Sequence, residues 1–360
     1  MSSNMKNKFH IIGAMSGTSL DGLDLAYCIF EFKNKKWNFS IAAAQCIKYD
    51  AEFRQMLSGV ETQSALDFVK VDTAFGVFAG KKIKAFVKRN KLQIDFIASH
   101  GHTIFHQPSN GITSQIGNGA AIAAESGIST ICDFRRTDVA LGGQGAPLVP
   151  IGDKLLFSEY DFCLNLGGFA NVSFNYKKQR VAFDVCPVNL VLNRLSQELG
   201  KEYDRNGDLS KKGNLNTDLL QELNNLNFYK QRFPKSLGKE WVLDEIFPLL
   251  NHYKISNEDK LKTFCEHIAI QISLATKNSF QKKSAVILCS GGGTYNKFLL
   301  QRIGHHSSHQ IVIPNKKIID FKEALLFAFL GVLRVKEQKN CLQSVTGANA
   351  DNVGGCIYLG

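Results

Sequence analysis

The chain has 360 residues, of which 44% are hydrophobic and 21% charged, with only 7 Pro, so two folded domains are expected and both a disordered chain and a minimal binding module are excluded. No run approaches the roughly eighteen apolar residues of a membrane helix, the polar start lacks a signal-type apolar stretch, and nine Cys without a Cys-x-x-Cys disfavour disulfides and a thiolate zinc site. A cytoplasmic protein is expected, and its net charge of +11 is scattered over a solvated surface rather than gathered into a nucleic-acid stripe, a field that also suits nucleotide phosphates.

Residues 9–14 are a largely apolar run that predicts a first strand. Leu23, Leu25, Tyr27 and Ile29 recur at period two, and Trp37, Phe39, Ile41 and Ala43 repeat that period after the turn signal Lys33-Asn34-Lys35-Lys36, which predicts an antiparallel meander. Phe68, Val71, Phe75 and Phe78 share one face of a long helix that ends near Asn90-Lys91, and a strand follows over 96–99. The glycine-rich segment Ala140-Leu141-Gly142-Gly143-Gln144-Gly145-Ala146-Pro147 reads as a cleft wall or a domain junction.

The pattern then recurs. Residues 161–166 predict a strand, Gly167-Gly168 a tight turn, and Val172, Phe174 and Tyr176 a second strand. After the turn Lys177-Lys178-Gln179 comes a third strand over 181–184, with a helix opening after Pro187. Two similarly built domains account for the shared order. Residues 201–262 are polar and rich in Asn and Lys, with a helical pattern over 219–226, and read as an appended substrate-side element. A strand over 285–289 runs into Ser290-Gly291-Gly292-Gly293-Thr294, and a last helix over 322–336 carries Leu325, Leu326, Phe329 and Leu333 on one side.

Three strand ends therefore run into glycine: Met15-Ser16-Gly17-Thr18-Ser19-Leu20-Asp21-Gly22, Asn165-Leu166-Gly167-Gly168-Phe169-Ala170-Asn171 and Ser290 to Thr294. Each is a cradle where N–H and hydroxyl groups converge on an anion, or else a plain hairpin turn needing positive φ. Neither the P-loop nor the Rossmann spacing occurs, so a phosphate grip must be of another kind. A pair of β-hairpins clamping ATP is the arrangement of the superfamily of sugar kinases, chaperone ATPases and actin. His100, His102 and His106 offer a competing zinc-hydrolase reading, without the Asp that accompanies such a pair.

The segment Gly13-Ala14-Met15-Ser16-Gly17-Thr18-Ser19-Leu20-Asp21-Gly22-Leu23-Asp24 resembles the first phosphate-binding segment of the anhydro-N-acetylmuramic acid kinases. Ser99-His100-Gly101-His102 through Pro108, Asp133-Phe134-Arg135-Arg136-Thr137-Asp138 through Pro150, Asn165 to Asn171, Pro234-Lys235-Ser236 and Val345-Thr346-Gly347-Ala348 are similar to later segments in the same order. The resemblance implies an α/β protein of two actin-like (ribonuclease H-like) domains flanking a nucleotide and sugar cleft. Their expected extents are 1–135 with 337–360, and 136–336 including the polar insertion. It implies ATP and Mg²⁺ as cofactors, an amino sugar as substrate, a homodimer, and no nucleic-acid or membrane partner. The implied reaction opens the 1,6-anhydro ring of 1,6-anhydro-N-acetylmuramic acid with water and phosphorylates O6, in cell-wall recycling.

By the same resemblance Asp184 is the base that deprotonates the water. Gly17, Thr18, Ser19, Leu20, Asp21, Gly22, Leu23, Asp24, Gly167, Gly168, Asn171, Gly291, Gly292 and Gly293 hold ATP, while His102, Arg135, Arg136, Asp138 and Glu323 lie on the sugar side; the metal ligands are unassigned. Bland alternatives stand beside these roles: Asp184 as a helix N-cap, the Arg and Asp residues as surface ion pairs, Glu323 as a helix-dipole partner. The sequence departs from the family pattern after Asp184, reading Asp184-Val185-Cys186-Pro187-Val188-Asn189 where the family has Asp-Thr-Gly-Pro-Gly-Asn, and Asn193 stands in place of a second Asp. A non-catalytic or chaperone-like ATP-binding protein is the rival from another class, and the retained sugar-side residues speak against it.

Overall fold

In a computed structural model that describes residues 6–17, 20–277 and 284–360, Lys8–Ser16 (β1), Gly22–Lys33 (β2) and Lys36–Lys48 (β3) form the expected meander. Each strand outruns its apolar pattern by a few residues, because the antiparallel ladder continues past the buried positions. The β2–β3 loop is Asn34-Lys35, both at positive φ (53° and 61°), the handedness that matches the strand twist. The Ala65–Asn90 helix follows, capped at Ser64, whose side chain accepts from the Asp67 N–H, and stopped by Lys91 in the left-handed conformation. Its buried Val71, Phe75, Ala79, Ile83 and Phe86 pack against the meander. Phe96–Gln107 (β4) lies parallel to β1, Ile112–Ile116 (β5) antiparallel to β4, and Thr130–Cys132 (β6) parallel to β4.

The second sheet repeats this plan. Phe162–Leu166 (β7), Phe169–Tyr176 (β8) and Gln179–Pro187 (β9) form an antiparallel meander with a two-residue loop, Lys177-Lys178, again with both φ positive. The Asn189–Gln197 helix opens after Pro187 as expected. Val286–Ser290 (β10) and Gln310–Val312 (β11) add in parallel beside β7. The order β11-β10-β7-β8-β9 reproduces β6-β4-β1-β2-β3, and the chain ends in the first sheet with Cys356–Tyr358 (β12) antiparallel to β6. Both units are actin-like α/β folds, and the duplication suspected from the order of elements is real.

The two compact units are Met1–Leu156 with Phe321–Gly360, and Phe157–Asp320. The boundaries expected at 135/136 and 336/337 are therefore displaced to 156/157 and 320/321. The reason is packing against the first sheet: a Cβ on Gly13 would run into the Ala324 carbonyl, and one on Gly331 would lie 2.7 Å from Ala98, so glycines let the last helix lie directly on β1 and β4. That helix, Lys316–Val335, breaks at Phe321 (φ −123°), where the chain passes between the units. The polar insertion carries a hidden apolar stripe. Leu219, Leu223, Val242, Ile246 and Leu250 are all fully buried in the core of the second unit, alongside Phe264 and Ile268. Among the described residues no helix is long and apolar enough to cross a membrane.

Candidate active site

In the first unit, β1 ends at Ser16 and the chain turns through Gly17 and Leu20 into β2. The Leu20 N–H donates to the Gly17 carbonyl (3.2 Å) and Leu20 has φ 59°. Thr18 and Ser19 lie outside the described residues. Asp21 is exposed at the turn, Gly22 and Leu23 are buried at the start of β2, and half-buried Asp24 faces Cys46 of β3. Cys46 is exposed, and local desolvation helped by Asp24 raises its thiol. His102, expected on the sugar side, ties down this segment: its Nδ1 is hydrogen-bonded to the Ser16 hydroxyl (3.0 Å), and Ser16 Oγ accepts from the buried Tyr49 hydroxyl (2.7 Å). Burial holds the His102 imidazole below its ordinary range and therefore neutral.

The zinc reading does not survive the geometry of β4. Gly101 has φ 75°, so the two histidines around it turn apart: the His100 ring lies 4.5 Å from Phe327 and the His102 ring 6.3 Å from Phe75. His100 Nδ1–H donates to the Gly101 carbonyl (3.0 Å), and its Nε2 accepts from Arg135 Nε (3.1 Å) and Nη2 (2.9 Å). A lone pair already engaged by a guanidinium is not a metal ligand.

Half-buried Arg135 also donates from Nη1 to the Gly145 carbonyl (2.7 Å), and burial brings its pKa down to about 10, against the pull of Glu323, leaving it cationic at neutral pH. Glu323 retains solvent-accessible surface, yet desolvation by the surrounding protein raises its carboxyl, opposed by Arg135 and Lys322. Arg136 is exposed and bound through Nε to Asp133 Oδ1 (3.2 Å), the ion pair foreseen as its bland alternative. Asp138 is fully buried: Oδ2 accepts from the Gly145 N–H (2.8 Å), and Oδ1 from Thr346 Oγ1 (2.9 Å) and Asn352 Nδ2 (2.8 Å). It shapes the glycine-rich loop from inside, rather than facing a ligand.

In the second unit the remaining two glycine junctions lie side by side, because β10 runs parallel to β7 with Ser290 opposite Asn165. A Cβ on Gly291 (φ 86°) would meet Asn165 Oδ1 at 2.5 Å, and one on Gly293 would meet Leu166 Cβ at 2.7 Å. The start of the Asn189–Gln197 helix clamps the hairpin, with the N–H groups of Val188 and Leu190 donating to the Gly168 carbonyl and that of Asn189 to Gly167. By contrast, exposed Gly168 has no protein atom within 4 Å of where a Cβ would stand, and its N–H has no acceptor among the described residues. Gly292 and Asn171 are likewise exposed.

Asp184 lies in β9, opposite Asn171, at a bulge: Cys186 pairs with the adjacent Ala170, so Val185 is the extra residue. It does not cap the following helix, whose N-cap position is Val188 without a side-chain cap. Asp184 Oδ2 accepts from the Leu237 N–H (2.9 Å), and Oδ1 accepts from none of the described residues. Burial raises its carboxyl above the ordinary Asp range and the Leu237 N–H pulls it back.

The sequence model of the anhydro-N-acetylmuramic acid kinase family matches residues 9–360. The chain belongs to this family. It is 34% identical to the anhydro-N-acetylmuramic acid kinase of Vibrio parahaemolyticus over 96% of this chain and 97% of that one. With the kinase of Francisella tularensis subsp. novicida it shares 33% identity, covering 97% and 98%. Among solved structures it is similar to the ADPNP-bound activator of the 2-hydroxyisocaproyl-CoA dehydratase from Clostridium difficile (TM-score 0.44, 13% identity, 91% of this chain and 97% of that one). Two contacts at the expected site residues, from Tyr49 to Ser16 and from Leu237 to Asp184, were passed over by sequence reasoning. Tyr49 acts through a hydroxyl 33 positions from Ser16, and Leu237 through a backbone N–H 53 positions from Asp184. Neither contact leaves a local pattern.

Proposed function

We propose that the protein is an ATP-dependent anhydro-N-acetylmuramic acid kinase of the cytoplasm, which opens the 1,6-anhydro bridge of its sugar with water and phosphorylates the freed O6. The observation that carries the reading is Asp184, a carboxylate set at a strand bulge with one oxygen held and the other without a donor among the described residues, within a chain of this family. Asp184 Oδ1 takes a proton from the water that adds to C1. The C1–O6 bond breaks, O6 attacks the γ-phosphorus, and ADP leaves, giving N-acetylmuramic acid 6-phosphate.

The glycine cradle fits a phosphate. In the second unit Gly168 offers open space and an N–H without an acceptor among the described residues; the family resemblance assigns Gly167, Asn171, Gly291, Gly292 and Gly293 to the nucleotide as well, together with Gly17 and the 18–24 segment of the first unit. Magnesium would neutralise the charge that builds on the phosphates. Among the sugar-side residues, exposed Arg136, paired with Asp133, is the one assigned to the lactyl carboxylate, whereas Arg135 has engaged three donors within the protein. His102 and Asp138 are positioning residues, one behind the Gly17 turn and the other behind the Gly145 loop. A coupled ADP-release assay across anhydro and ordinary amino sugars tests the reading: ADP should appear with 1,6-anhydro-N-acetylmuramic acid. ATP binding without sugar-dependent ADP release would favour the chaperone-like alternative instead.

A further inference from the structure

We infer that the loop of residues 233–238, anchored by Lys235, is the positioning element of Asp184 and determines which carboxylate oxygen receives the proton. The inference rests on the reading of Asp184 as the base. β9 is the last strand of its sheet, and its ladder is interrupted at the bulge, so the strand alone does not fix this residue. The loop takes over. The Asp184 N–H donates to the Lys235 carbonyl (3.1 Å) and the Leu237 N–H donates to Asp184 Oδ2 (2.9 Å), two bonds of opposite sense from loop residues two apart.

The loop is itself braced on either side of those bonds. Phe233 stacks on Phe183, next to Asp184, with centroids 5.3 Å apart and planes within 5°. Lys235 Nζ donates to the Phe228 carbonyl (3.2 Å) and lies 4.3 Å from the centre of the Phe228 ring. The neighbouring Tyr229 is fixed in turn by its hydroxyl against His267 Nε2 (2.9 Å), and His267 Nδ1 meets Asn224 Oδ1 (2.7 Å). Burial takes His267 down to about 3, so this brace stays neutral across the working pH range.

A carboxylate oxygen that accepts an amide N–H is the less basic of the pair, so the proton goes to Oδ1. The titratable groups around Asp184 are Cys186 of β9 and Lys235 of the loop, with Tyr229 beyond Cys186. Burial keeps the thiol and the phenol protonated and lowers the Lys235 ammonium. Loosening the loop removes the N–H that holds the Asp184 carboxyl down and leaves the burial that pushes it up.

The test compares the parent enzyme with Lys235→Met, which keeps the stem on the Phe228 ring but loses the anchor, and with Leu237→Pro, which removes the N–H itself. With 1,6-anhydro-N-acetylmuramic acid and ATP, the acid limb of kcat/KM should move up by about 0.5–1 unit and kcat should fall about tenfold, with the melting temperature and the KM for ATP unchanged in Lys235→Met. The same upward shift should appear in the carboxyl ¹³C titration of Asp184 without substrate, assigned by its absence in Asp184→Asn. Titrations and pH profiles of both variants coinciding with the parent's would overturn the inference, as would a lower melting temperature with an unmoved titration. A parent that turns over no sugar while the titration shifts would leave the loop's role standing and remove the base reading alone.

Discussion

Asp184 shows how much a single residue owes to its surroundings. Burial raises its carboxyl, so the base form is lost as pH falls through a value above the ordinary aspartate pKa of about 3.9. A pH profile of kcat/KM should therefore show an acid limb displaced upward from that value, and a rate flat through pH 4 would contradict the assignment. The sequence made Asp184 visible as an acid at a strand end, but the oxygen left free depends on a backbone amide 53 residues away. His102 teaches the converse. The family resemblance places it with the sugar, while its ring is engaged with Ser16 inside the protein. Asp138 is a third case. Replacing it by Asn leaves one side-chain oxygen for the three donors it now accepts, and the chain should lose about 2 kcal/mol of stability by denaturant unfolding. An unchanged unfolding midpoint would remove Asp138 from its structural role.

At the scale of elements, the glycine turns divide into two kinds. Gly291 needs its positive φ and has no room for a Cβ, so Gly291→Ala should destabilise the protein by about 1–3 kcal/mol. A Cβ on Gly168 would have open space around it, so Gly168→Ala should leave the melting temperature unchanged and raise the KM for ATP severalfold, because the new methyl occupies ligand space. An unaltered KM would exclude Gly168 from the nucleotide site. Strands and their order were readable from period-two patterns, since alternation is imposed by each sheet's buried face. The positive φ of the two-residue loops at Asn34-Lys35 and Lys177-Lys178 was not, because three of the four residues are Lys rather than Asn or Gly. The helical content of the insertion was also understated, its few buried leucines being diluted by Asn and Lys.

For the whole molecule, the repeated strand order was legible where the unit boundaries were not. Composition marks the glycine-rich 140–147 segment as a junction, but it stays in the first unit, its Gly145 and Gln144 N–H groups donating to Asp138 and to the Thr346 carbonyl, and the last helix stays there through the close approach that Gly13 and Gly331 permit. The surplus of 43 basic over 32 acidic residues gives a field that favours an anionic nucleotide. The KM for ATP should accordingly rise as ionic strength goes from 0.01 M to about 0.15 M, where the screening length shortens to about 8 Å. A salt-independent KM would show that local contacts alone capture the nucleotide. The most direct measurement of the central claim is turnover of 1,6-anhydro-N-acetylmuramic acid by Asp184→Asn, with ATP affinity measured on the same preparation. The variant should bind ATP like the parent and lose at least about a hundredfold in kcat; an Asn variant that still phosphorylates the sugar at the parent's rate would contradict the proposed role of this carboxylate.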